Sequence, residues 1–146
     1  MIKKILEKTM VLIAVVIFIG TVNVIAADNN HITVYVNDSI LDADVNAQII
    51  NSRTMVPMRA IFETLGTEVI WDETNETVTA KKNGTEISLK INDNKMTKNG
   101  GKIELDTPAI LLSDHTMLPL RAVSEAFGAA VTWDEQNRIV NIEFIE

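Results

Sequence analysis

Thr54-Met-Val-Pro-Met-Arg-Ala60 returns 62 positions later as Thr116-Met-Leu-Pro-Leu-Arg-Ala122. At the same offset Glu63 meets Glu125, Gly66 meets Gly128 and Asn75 meets Asn137. Trp71-Asp72-Glu73 likewise meets Trp133-Asp134-Glu135. Between 53/115 and 80/142, 13 of 28 aligned positions are identical. Ordinary residue frequencies would give about two by chance. A self-similarity of this period marks a duplicated supersecondary unit.

Each copy reads as strand, helix and hairpin. Pro57 and Pro119 suit the first turn of a helix, where a missing N–H costs nothing. Thr54 and Thr116 lie just upstream, within reach of a cap. Met58, Ile61, Phe62 and Leu65 then fall at i, i+3, i+4 and i+7, as Leu120, Val123 and Phe127 do in part, giving one apolar helix face. Gly66 and Gly128 follow where a left-handed C-cap favours glycine. Residues 69–71 and 131–133 read as short strands. Asp72-Glu-Thr-Asn75 and Asp134-Glu-Gln-Asn137 read as turns, and 77–81 and 139–144 as the returning strands. Asn83-Gly84 and Asn99-Gly-Gly101 signal further hairpins, into 86–91 and between 95–98 and 102–105. Residues 32–36 open the first copy as a strand. Ile49-Ile50 and Leu111-Leu112 are short apolar runs before each helix. The predicted class is α+β: two strand–helix–hairpin units, about 32–91 and 95–144, with antiparallel sheets packed on two short helices.

The paired VPMRA…LG…V.WDE.N..V and LPLRA…FG…VTWDEQN.IV resemble the copper amine oxidase N-terminal-like domain, or stalk domain, over about residues 32–144. The resemblance implies a non-catalytic domain of exported and cell-surface bacterial proteins, with antiparallel strands wrapped on a helix. Such domains often stand beside a separate enzymatic or wall-binding module. None is expected after the second copy here.

The first 27 residues have another character. Lys3, Lys4 and Lys8 precede the apolar run Met10-Val-Leu-Ile-Ala-Val-Val-Ile-Phe-Ile19, and Ala26-Ala27 follow it. Basic, apolar and small-residue regions in that order predict a signal peptide over 1–27. The alternative is an uncleaved membrane anchor, since 18 residues from Met10 to Ala27 approach the span of a bilayer. Either reading places 28–146 outside the cytoplasm, in the extracellular space or at the cell surface. The whole chain carries a net charge of −7. Without its first 27 residues it keeps ten basic and nineteen acidic side chains, or about −9. Duplex nucleic acid needs clustered Lys and Arg and is not an expected partner. A membrane is expected to be met only through an uncleaved N-terminal segment. There is no cysteine, so no disulfide and no lipoprotein cysteine.

The sequence names no catalytic or cofactor-binding residue, no metal site and no cofactor. His31 and His115 are the only histidines and Tyr35 the only tyrosine, too few for a typical copper site. His115 stands where the first copy has Arg53, and both are expected as exposed loop residues. Ser113, Asp114 and His115 are chain neighbours, which does not make a triad. The acidic turns lack the spacing of a calcium loop. Arg59 and Arg121 are expected to pair with Asp72 and Asp134, with Glu63 and Glu125 close by. Trp71 and Trp133 read first as core residues and second as stacking platforms for wall sugars. Pro57, Arg59, Gly66, Trp71 and Asp72, with Pro119, Arg121, Gly128, Trp133 and Asp134, form the repeated signature. The residues it repeats are chiefly fold-making types. An exported, non-catalytic interaction or spacer module therefore leads. Its partner would be a cell-wall polymer or an envelope protein. A wall-polysaccharide binder using Trp71 and Trp133 is the alternative, ahead of a small metal-dependent enzyme.

Overall fold

A computed structural model describes residues 31–145; the expected signal segment lies outside them. In chain order the elements are β1 (Thr33–Val36), β2 (Ser39–Ile40), β3 (Gln48–Ile50), β4 (Arg53–Pro57) and α1 (Met58–Leu65). Then come β5 (Glu68–Asp72), β6 (Thr77–Lys82), β7 (Thr85–Lys90), β8 (Lys95–Lys98) and β9 (Gly101–Glu104). Last are β10 (Ile110–Leu112), β11 (His115–Pro119), α2 (Leu120–Ala126), β12 (Ala129–Asp134) and β13 (Ile139–Phe144).

The predicted α+β class is overturned. Strands take 53% of the structure and helices 13%, in three sheets. The reason lies in the lengths. The two helices have 8 and 7 residues, barely two turns, too little surface to act as a layer. Instead α1 packs against β4 and β11 of a single sheet, and α2 sits where the three sheets meet, against β12, β4, β11 and β7. Most of the buried apolar side chains come from strands, among them Val56, Val78, Ile87, Leu89, Leu118 and Ile142.

The sheets run β12-β13-β1-β2, β10-β11-β4-β3 and β5-β6-β7-β8-β9. Each one joins strands from both halves of the chain. At the centre β4 and β11 pair antiparallel, with Val56 opposite Leu118, Met55 opposite Pro119 and Pro57 opposite Met117. Val56 and Leu118 stand 62 positions apart, so this pairing maps onto itself when the halves are exchanged. The bounds of β1, β3, β4 and β6 recur 62 positions on as β8, β10, β11 and β13. Strand β7 has no counterpart among the described residues. It sits between β6 and β8, whereas β13 meets β1 directly. That last pairing is parallel, with Thr33 opposite Ile139 and Val36 opposite Ile142, against the all-antiparallel expectation. Lys82 Nζ lies 4.9 Å from the Phe144 ring and ties the third sheet to the first.

Two-residue turns set the registers. Asn37-Asp38, Asn51-Ser52, Asn83-Gly84, Asn99-Gly100 and Ser113-Asp114 all have positive φ at both residues. That is the twist a two-residue hairpin needs. Gly66, at φ 64°, caps α1, and its N–H donates to Glu63 O at 3.0 Å. Pro57 and Pro119 precede the helices rather than open their first turns, and no side chain caps either helix. Thr54 and Thr116 lie instead within β4 and β11.

Candidate functional site

The repeated Asp and Asn residues lock turns. Asp72 Oδ1 accepts the Asn75 backbone N–H at 3.0 Å and Asp72 Oδ2 accepts Asn75 Nδ2 at 2.7 Å. Asp134 receives the same pair from Asn137, at 3.0 and 2.8 Å. The Asn side-chain amide, then the backbone N–H, holds each carboxyl below its ordinary pKa. Both carboxylates are therefore engaged within their own turns, which leaves the expected pairs with Arg59 and Arg121 unmade. Arg121 Nε instead lies 3.9 Å from Glu125 Oε1 one helical turn on, and both are exposed. Arg59 is exposed and forms no ion pair among the described residues.

The two tryptophans occupy matching registers in unlike surroundings. Trp71 is opposite Val78 and Trp133 opposite Val140, and both valines are buried. Trp133 is half-buried and packs on the core beside α2, which runs along β12. Strand β5 has no comparable helix over it, and Trp71 remains 43% exposed. The expectation of a core position thus fails for Trp71. Val69 and Ile70 are exposed beside it, on the free edge of the third sheet.

Trp133 lines a cleft of about 590 Å³. Leu120 and Arg121 of α2 form one wall, Met96 and Ile103 of the β8–β9 hairpin another, and Ile49 a lip. Arg53 and Asp106 close the rim. Arg53 Nε donates to Asp106 Oδ2 at 3.0 Å, and Nη2 reaches the same oxygen. Sequence reading missed this pair because 53 residues separate its members. Trp71 takes no part in lining this cleft. A second cleft of about 410 Å³ lies along β1 and the 41–47 loop. The first cleft offers an aromatic wall and a charged rim. That suits the holding of an amphipathic ligand and presents no nucleophile paired with a base.

Residues 35–142 match the family model of the copper amine oxidase N-terminal domain. The chain belongs to this family. No curated protein matches it. In copper amine oxidases the N-terminal domain is a non-catalytic accessory domain. The copper of the family's name finds no fit in this N-terminal domain. His31 is exposed, and the His115 Nδ1–H donates to Ser113 O at 2.8 Å. Among the described residues no three His, Asp or Glu side chains gather to hold a metal ion. Nor is any described helix long and apolar enough to cross a membrane.

Proposed function

We propose that this domain is exported and serves the cell envelope as a non-catalytic interaction or spacer module. The carrying observation is what the recurring residues do. Gly66 caps the end of α1 and Gly128 follows the Phe127 cap of α2, Pro57 and Pro119 stand just before the helices, and the Asp72–Asn75 and Asp134–Asn137 pairs close turns. Most of the recurring residues thus serve folding, and the exposed Arg59 and Arg121 share no common partner that would repeat a site in both copies. Two tandem units, about 32–91 and 95–144, account for the recurrence. Export is tested by fractionation and N-terminal sequencing. Mature protein in the envelope or medium, beginning near Ala27 or Asp28, is the expected result. Intact protein confined to the cytosol would overturn the reading.

A second reading is favoured by one observation, the half-buried Trp133 in the wall of the larger cleft beside Arg121. It makes the domain a binder of wall polysaccharide, with the sugar face stacked on the indole. Sedimentation with purified peptidoglycan tests it. Loss of binding in Trp133→Ala with retention in Trp71→Ala supports it, and no binding by the wild type removes it.

A further inference from the structure

The parallel β1–β13 ladder joins the first and last strands of the described chain. The Thr33 N–H donates to Arg138 O at 3.1 Å and the Asn37 N–H to Ile142 O at 2.9 Å. The Phe144 N–H donates to Asn37 Oδ1 at 3.1 Å, extending the ladder past the strand end. Val34 faces Val140 and Val36 faces Ile142 in register, and all four are buried, which keeps water from the bonds between them. Strand β13 is held on its other side by a six-residue ladder to β12, whereas β1 has only two pairs with β2. The attachment of β1 therefore depends on β13.

Direction follows from the parallel sense. The chain enters β1 at Thr33, beside Ile139, and leaves β13 past Phe144, at the opposite end of the ladder. Tension between the two ends pulls the strands past one another along their axes. All the ladder bonds are then loaded together, and none can open first. The geometry points to a load-bearing function: β1–β13 is a shear clamp that keeps the domain folded when it is pulled between its two ends. This deepens the spacer reading, since a spacer between two attachment points has to carry tension without unravelling.

The chain has no cysteine, so introduced pairs give unambiguous handles for single-molecule pulling of the full chain. His31→Cys with Ile145→Cys loads the ladder in shear. Ser39→Cys with Ile145→Cys grips both strands from the same end and unzips the ladder bond by bond. All three positions are exposed, and the fold pulled is the same. Forced unfolding is governed by the unfolding rate, so the shear pair is expected to need about twice the force of the unzipping pair, or more, at equal loading rate. Equal forces, or a lower force in shear, would overturn the clamp. That failure would leave export and binding untouched. Cytosolic retention would remove the spacer reading and leave the force anisotropy standing.

Discussion

The repeated Asp is a turn lock whose strength depends on its charge. A carboxyl held below its ordinary pKa in the folded chain stabilises the fold above that ordinary value. The contribution is lost as the pH falls through the lowered pKa. For Asp72 and Asp134 the loss therefore falls below about pH 4. Asn75→Ala with Asn137→Ala should melt below the wild type at pH 7. The gap should narrow on acidification below pH 4, and melts across that range check it. At the helix position where the first copy has Phe62, the second has Ser124. Both are buried, and Ser124 Oγ has no partner. Ser124→Ala removes a buried unsatisfied hydroxyl and should raise stability by roughly 1 kcal/mol in denaturant titration. Phe62→Ala, at 1% exposure, should cost about 3–5 kcal/mol. Trp71→Ala should cost well under about 3 kcal/mol, because part of the indole already meets water. Trp133→Ala should fall between them.

At the scale of elements, β5 and β12 show how far a repeated sequence fixes its surroundings. Both hairpins were legible from alternation and the turn residues, as were the Asn83-Gly84 and Asn99-Gly100 hairpins and the helix end at Gly66. Local chemistry decides these features, and local chemistry is written in neighbouring residues. Asn37-Asp38 and Asn51-Ser52 make the same kind of turn without glycine and gave no comparable signal. The exposure of Trp71 was not legible, because like helices in the two copies dock differently: α2 packs on the β12 that follows it, whereas α1 packs on β4 and β11 and makes no comparable contact with β5. The larger cleft was hidden as well, since its walls come from α2, β8, β9 and β12. Edge strand β5 is left with Val69, Ile70 and Trp71 exposed in succession. Such an edge favours association between chains unless a charge interrupts it. Ile70→Lys should raise the concentration at which light scattering begins, and should change stability by no more than about 0.5 kcal/mol.

At the scale of the molecule, the halves are folded through one another rather than stacked. Strands β1 and β2 complete a sheet begun by β12 and β13, while β8 and β9 complete one begun by β5, β6 and β7. Neither half holds a whole sheet, so residues 31–91 and 92–145 expressed separately should each lack dispersed amide spectra and be cleaved rapidly by protease. Mixing them should restore the fold. The reading of two repeated strand–helix–hairpin units carried no sign of this exchange, because strand exchange leaves no trace in either copy's own pattern. The same arrangement sets a timetable for the newborn chain. Phe144 and Asn37, bonded in the finished domain, stand 107 positions apart. Local hairpins close early, whereas so distant a contact waits on a large loop and makes folding slow. Of the described strands, β1 emerges first from the ribosome and its neighbour β13 last. The sheet they share stays incomplete until β13 is made, so a chain exported as proposed above would meet the translocation channel before that sheet could close. Arrival of the final strand, and not completion of the first copy, starts the clock on folding.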